Sequence, residues 1–244
     1  MDQGIWATWY DLPEEGRAEY IAWFHSAYLP ELVMRPGYLW AAHYEVIPNA
    51  IRRSKGFYSP ERKEGTDIGA GTNFLVLVGA AMPHVFFNPS LAQLEAQQSD
   101  ETSKMLAQRI GSRTLILTEE ARVDGPEINK RPTGTTPGPA IQMGAFTMKT
   151  IEDEFELAAW YAQDRLMAMA SMSGCIGTRK MVSVAGWAKH SILYEFMSLE
   201  EREKNFYQGL EGRAKKNQEW SVRVINSTIH APGSPSVAQR IWPE

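Results

Sequence analysis

Residues 19–37, EYIAWFHSAYLPELVMRPG, align without a gap with residues 156–174, ELAAWYAQDRLMAMASMSG. At this spacing of 137 positions Trp23 matches Trp160, and the glycine that ends each segment matches as well. The weak similarity extends over the first 46 residues. Self-similarity at one fixed spacing indicates a structural unit that is used twice. The sequence therefore predicts two related halves in one chain.

Both segments have the pattern of a helix, because their apolar residues recur with the helical period. Pro36-Gly37 and Ser173-Gly174 end them, since proline cannot continue a helix and glycine accepts a left-handed cap. We predict helix starts at Asp11–Glu14 and at Thr150–Asp153, where a capping side chain precedes acidic residues.

The predicted order of elements in each half is strand, helix, strand, strand, helix, strand. The strands are assigned from short runs of β-branched and aromatic residues. In the first half these runs are residues 4–10, 38–47, 73–78 and 114–117; in the second they include residues 175–184, 190–195 and 222–225.

Two further segments stand outside this pattern. Residues 48–72 form a long polar connection, and loops of this length are commonly functional, so we expect it to cover the mouth of a pocket in the first half. The tail, residues 230–243, holds several prolines and is expected to wrap the surface rather than form a central strand. Trp242 in this tail is a candidate lid over a groove.

Composition restricts the class of protein. Residues 124–139 are rich in proline and glycine, as in a linker, which predicts halves at 1–122 and 138–244 joined by a linker at 123–137. The net charge of −4 and the lack of a basic cluster make nucleic acid an unexpected partner. The single cysteine, Cys175, cannot form an intrachain disulfide. With no membrane-length apolar run and no signal-peptide pattern, we expect a soluble, cytoplasmic protein.

The stretch Trp23–Glu31, followed by Arg35–Leu39, resembles the signature of the EthD-like group of dimeric α/β-barrel proteins. That group has a Trp-Tyr pair, an acidic stretch, a His-Leu-Pro and a Pro-Gly that ends the helix. The resemblance implies an α+β fold in which two tandem ferredoxin-like repeats, fused in one chain, form an intrachain dimeric α/β barrel with the helices outside. The usual histidine of His-Leu-Pro is replaced by Tyr28 in the first copy and by Arg165 in the second.

Relatives of this kind include cofactor-free cyclases and isomerases, monooxygenases, haem-binding proteins and stress-response proteins, so the fold does not fix the function. We predict a cofactor-independent enzyme of the cyclase, isomerase or lyase type, acting on a hydrophobic, carbonyl-bearing or aromatic small molecule. Such chemistry needs a base and a group that stabilises an enolate. The candidate catalytic residues are His25 and His43 as bases, with Tyr28 and Arg179 as partners of the developing oxygen anion.

The five histidines are scattered, and the sequence holds neither a metal-binding nor a phosphate-binding signature. We therefore predict no metal and no cofactor. Two alternatives remain open: a non-catalytic small-molecule-binding or stress-related module, and a haem-binding monooxygenase-like protein with His43, His84 or His190 as the axial ligand. The expected partners are a hydrophobic small molecule and a second copy of the chain, giving a homodimer of pseudodimers.

Overall fold

The computed structural model describes residues 2–50, 68–130, 135–211 and 215–243. The strands are β1 Gly4–Asp11, β2 Tyr38–Val46, β3 Phe74–Ala80, β4 Ile110–Asp124, β5 Ala140–Met148, β6 Cys175–Ala185, β7 His190–Phe196, β8 Thr228–His230 and β9 Ser236–Trp242. The α-helices are α1 Arg17–Trp23, α2 Leu29–Val33, α3 Leu91–Ala96, α4 Asp100–Leu106, α5 Ile151–Trp160, α6 Leu166–Ala170, α7 Leu199–Glu211 and α8 Lys215–Asn226.

Eight strands form a closed antiparallel barrel in the order β1-β3-β2-β9-β5-β7-β6-β4, with β4 returning to β1. The short strand β8 pairs only with one end of β5. The strands of the two halves follow the same order, β4-β1-β3-β2 in the first and β9-β5-β7-β6 in the second. The helices lie outside the barrel, in two layers.

The two four-stranded sheets are joined edge to edge. β4 pairs with β6, and β2 pairs with β9, so each half closes the open edges of the other. Unpaired strand edges are costly and prone to aggregation, and closure removes them. One continuous sheet therefore surrounds the core.

The ends of the first helical segment in each half are largely as predicted. Gly37 and Gly174 follow these segments with φ angles of 86° and 78°, the left-handed conformation that favours glycine. The hydroxyl of Thr150 accepts a hydrogen bond from the N–H of Asp153, which confirms the predicted cap of α5. Each segment also contains a π-helical stretch, Phe24–Tyr28 and Tyr161–Arg165, at the same spacing as the sequence repeat.

The predicted helix start at Asp11 is wrong. β1 runs through Asp11, and α1 begins only at Arg17. The Asp11 carboxylate accepts hydrogen bonds from the N–H groups of Thr72 and Asn73, at 2.6 and 2.7 Å. The Asp11 carboxylate therefore fixes the backbone of the two residues that precede β3 and does not cap a helix.

The end of the second half also differs from the prediction. Residues 222–225 lie in α8, and the last strand is β9, inside the tail that was expected to wrap the surface. Pro235 and Pro243 flank β9 without interrupting it, so its residues keep their N–H groups for pairing. The tail is therefore a barrel strand, between β2 and β5. Most of the 48–72 connection lies outside the described residues.

Apolar side chains from both halves fill the barrel interior. On the outer surface of each half, a separate apolar layer lies between the sheet and the helices. The inner cluster includes Trp9, Trp40, Tyr44, Leu117, Met143 and Leu193. A cavity of about 20 Å³ beside Leu115 and Ala145 has room for about one water molecule. The described side chains of the inner cluster thus form a packed core.

A buried ion network ties the N-terminus to both halves from inside the barrel. The Asp2 carboxylate accepts hydrogen bonds from Trp40 at 2.8 Å, Arg122 at 2.8 Å and Arg179 at 2.9 Å. Arg179 also lies 3.2 Å from Glu195. Burial alone would raise the pKa of Asp2, but the two guanidinium groups outweigh it and hold the pKa below its ordinary value.

We expect Asp2→Ala to lower the free energy of unfolding by about 3–5 kcal/mol, because it leaves Arg179 buried with one carboxylate fewer. Glu156→Gln is the control, since Glu156 pairs with Arg223 at the surface and should contribute little. Urea unfolding of both variants measures the difference. Equal losses would show that the network adds nothing beyond a surface pair.

Candidate functional site

A chain of hydrogen bonds links two histidines and a tyrosine between the helices and the sheet of the first half. His25 Nε2 lies 2.7 Å from His43 Nδ1, and His43 Nε2 lies 2.8 Å from the Tyr10 hydroxyl. His43 is fully buried, whereas His25 is partly exposed. The two predicted bases are thus brought together, with one of them reaching the surface.

Three elements position this chain of side chains. His43 lies on β2 where its pairing with β9 shifts register, and such bulges redirect side chains. The π-helical stretch Phe24–Tyr28 carries His25 over the sheet, and π-helical turns are frequent at functional sites. β9 brings Trp242 opposite His43, so that the Trp242 ring stacks on His25 with the centroids 6.2 Å apart. Trp242 therefore covers His25, although from the end of a barrel strand.

Burial keeps both histidines uncharged near neutral pH. It lowers the pKa of His25. It lowers the pKa of His43 further, and the positive charges of a protonated His25 and of Arg109 add to this effect. When His25 donates its Nε2–H to His43, its Nδ1 is left as an acceptor, and no described residue bonds that nitrogen. The arrangement can take up a proton at His25 Nδ1, while His43 Nδ1 accepts the hydrogen bond that orients His25.

Tyr28 belongs to the aromatic cluster around this site but is not part of the hydrogen-bonded chain. Its ring stacks on Phe24, with the centroids 5.3 Å apart, and contacts Trp23. Burial raises the pKa of Tyr28, which keeps its phenol neutral. It can therefore donate a hydrogen bond to an anion but cannot serve as a base.

Arg179 does not join the site. Its side chain points into the barrel, towards Asp2 and Glu195. The residue of β6 that corresponds to His43 at the repeat spacing is Lys180, and neighbouring residues of a strand face opposite sides of the sheet. Arg179 is therefore one position away from the face that carries the site.

The corresponding place in the second half holds a balanced set of charges. The buried Lys180 ammonium donates to Glu120 at 2.8 Å and to His190 Nδ1 at 2.9 Å. His190 Nε2–H then donates to Glu154 at 2.8 Å. Burial lowers the pKa of Lys180, and the carboxylate of Glu120 opposes this effect. The second half thus carries a satisfied ion network where the first half carries the histidine pair.

The sequence analysis missed Tyr10 and Arg109. The alternation of β1, whose Ile5, Ala7 and Trp9 face the barrel core, indicates that Tyr10 faces the helices. No sequence pattern marks Arg109, which precedes β4 and places its guanidinium carbon 4.2 Å from the centre of the Tyr10 ring. Among the described residues, no three metal-binding side chains lie together, and no helix is long and apolar enough to cross a membrane.

We expect the free energy of unfolding to fall as the pH drops below about 6.5, with His43 as one cause. The unfolded chain protonates this histidine near its ordinary pKa of 6.5, whereas the native state resists, so acid favours the unfolded state. His43→Gln keeps a hydrogen-bonding side chain that does not titrate, and should show a shallower loss between about pH 7.5 and pH 5.

Urea unfolding across this pH range measures the loss. His84→Gln, at an exposed histidine, is the control and should keep the wild-type slope. A wild-type slope in His43→Gln would contradict the assignment.

Solved structures of several proteins match this fold over nearly the whole chain. A candidate monooxygenase from Fusobacterium nucleatum has a TM-score of 0.60 at 8% identity, over 98% of this chain and 93% of that chain. An anthrone oxidase-like protein has a TM-score of 0.60 at 8% identity, over 98% and 91%. A candidate chlorite dismutase has a TM-score of 0.57 at 13% identity, over 99% and 96%. No protein-family model and no curated protein matches the sequence. The chain therefore has the closed eight-stranded α+β architecture of the dimeric α/β-barrel proteins.

Proposed function

We propose that this protein is an enzyme that removes a proton from a hydrophobic, carbonyl- or phenol-bearing small molecule, using the site formed by Tyr10, His25 and His43. The observation that carries the proposal is the 2.7 Å hydrogen bond between the partly exposed His25 and the buried His43. A base oriented by a second group, which is itself held by a third, is a recurring catalytic arrangement. A lowered pKa keeps His25 unprotonated and ready to accept a proton.

In this mechanism the substrate proton moves to His25 Nδ1. His43 Nδ1 accepts the His25 Nε2–H and so orients the base, while its own Nε2–H points to the Tyr10 oxygen. The substrate is left as an enolate or phenolate among aromatic side chains, where few water molecules weaken electrostatic stabilisation. Return of the proton to another carbon gives isomerisation, and attack of the enolate on a second carbonyl gives cyclisation.

The anthrone oxidase-like protein among the fold neighbours supports the choice of substrate chemistry. An anthrone is a carbon acid, so its oxidation can begin with the same loss of a proton. Together with the candidate monooxygenase, it makes oxygen uptake a second outcome to measure alongside isomerisation. The proton-removal step is common to both.

Haem binding is the second candidate function, and the candidate chlorite dismutase among the neighbours favours it. The two buried histidines do not fit an axial ligand. Both ring nitrogens of His43 are hydrogen-bonded to His25 and Tyr10, and both of His190 to Lys180 and Glu154. An iron bond to either histidine would have to replace one of these contacts.

Addition of haem to the purified protein tests this second candidate. We expect no Soret band of a haem bound through His43 or His190, because neither buried histidine offers a free nitrogen. The comparison is wild type against variants of the three axial candidates, His43→Gln, His190→Gln and His84→Gln, the last at an exposed histidine. A stoichiometric Soret band that His43→Gln or His190→Gln loses would contradict the expectation, and one that His84→Gln loses would establish haem binding at the exposed histidine.

Deuterium exchange at carbon acids tests the proposed function without knowledge of the natural substrate. Aryl 1,3-diketones and anthrone are incubated with the protein in D2O, and exchange is followed by NMR together with oxygen uptake. We expect His25→Ala to lower the enzyme-dependent rate by about a hundredfold or more, as for the loss of a general base. His43→Gln should lower it less, because the base remains but loses its orientation.

His84→Ala is the matched control, since this histidine is exposed and lies outside the site. It should keep the wild-type rate. A folded His25→Ala variant that also keeps this rate would remove His25 as the base. Circular dichroism of each variant separates loss of the base from loss of the fold.

We also propose that the two halves are ferredoxin-like repeats of the EthD-like type, at 1–122 and 138–244, joined by the linker 123–137. The shared strand order and the two π-helical stretches at the repeat spacing support this assignment.

A further inference from the structure

The guanidinium group of Arg109 is enclosed beside the proposed site. Its Nε donates a hydrogen bond to the Tyr20 hydroxyl at 2.7 Å. Its central carbon lies 4.2 Å from the centre of the Tyr10 ring and 5.0 Å from that of Phe24. Its Nη2 is buried and has no hydrogen-bond partner among the described residues. A buried charge is normally paired, because removing it from water is costly.

The groups around Arg109 do not neutralise it. Burial raises the pKa of Tyr10, Tyr20 and Tyr28, so all three phenols remain uncharged. His43 is also neutral, because burial lowers its pKa. The cluster therefore keeps one positive charge in surroundings of low polarity, where a charge acts strongly.

Two buried cations elsewhere in the chain each have a carboxylate partner. Arg179 lies 2.9 Å from the Asp2 carboxylate, and Lys180 lies 2.8 Å from that of Glu120. Lys180 occupies the place in the second half that His43 occupies in the first. Each of these two cations therefore has a carboxylate within 3 Å, whereas the Nη2 of Arg109 has no described hydrogen-bond partner.

We infer that Arg109 binds the anionic oxygen of a hydrophobic organic acid, a carboxylate or a phenolate, beside the histidine pair. The planar guanidinium group suits such oxygens, since it can donate two parallel hydrogen bonds. The apolar body of the ligand would lie against Tyr28, which is partly exposed and whose ring stacks on the buried Phe24. The inference rests on the proposed function only for the reaction that follows binding.

Calorimetric titration with two probes of the same shape tests the inference. 1-Naphthoate carries the anion, and 1-naphthamide is its neutral counterpart. We expect the wild-type protein to prefer the naphthoate by about tenfold or more, as charge-assisted hydrogen bonds are the stronger ones. Arg109→Gln should remove this preference while changing naphthamide binding much less. Arg109→Lys, which keeps the charge but loses the planar fork, should keep part of it.

The matched control is Arg223→Gln, at an exposed arginine of the second half, which should bind as the wild type does. 4-Nitrophenol, titrated above and below its own pKa, separates phenolate from carboxylate binding. Equal affinity of the wild type for the two naphthyl probes, no naphthoate binding, or an anion preference that survives in Arg109→Gln would each overturn the inference. Loss of proton exchange with retained naphthoate binding would overturn only the proposed function.

Discussion

Pairing of strand edges between the two halves is the constraint on which the rest of the structure depends. Neither four-stranded sheet can pair both of its edge strands alone. The edges are satisfied because β4 pairs with β6 and β2 pairs with β9. These two seams close the barrel and enclose a core to which both halves contribute. The second seam also fixes the site, because it holds His43 opposite Trp242.

The two halves share the same arrangement of strands and helices, but they differ in whether their buried charged groups have partners of opposite charge. In the second half Lys180, His190 and Glu154 form a connected network, which Glu120 of the neighbouring strand β4 completes. In the first half the same region holds neutral histidines and phenols around one arginine. Networks with every partner present add rigidity, whereas an unpaired donor is available to an incoming molecule. The contrast in charge pairing therefore favours the first half as the working one.

Much of the framework could be predicted from the sequence, because the repeat and the glycine caps act locally. Gly37 and Gly174 end helices in the structure as their conformational freedom requires. The third strand differs, because the predicted runs 73–78 and 190–195 begin one residue out of step. His43 pairs with Val76 and Lys180 with Ile192, so Phe74, rather than Asn73, takes the place of His190. A slip of one residue exchanges the two faces of a strand.

What could not be predicted depends on contacts between distant parts of the chain. His25 and His43 were both selected, but nothing in their spacing shows that their rings meet, since this requires the π-helical stretch and the bulge in β2. The strand role of residues 236–242 was obscured by flanking prolines, because pairing depends on residues inside a strand. Arg109 could not be selected from the sequence, because its role depends on contacts with phenols that are distant along the chain.

The position of β9 along the chain has a consequence for biosynthesis. During translation β2 is synthesised long before β9. The β2 edge of the first half therefore stays unpaired while about two hundred further residues are added. An exposed edge of this kind is a template for pairing with other nascent chains. The histidine pair can form early, but its Trp242 cover arrives only when synthesis of the described chain is nearly complete. Termination before β9 would thus leave β2 and β5 without their shared neighbour, in an open barrel that lacks Trp242.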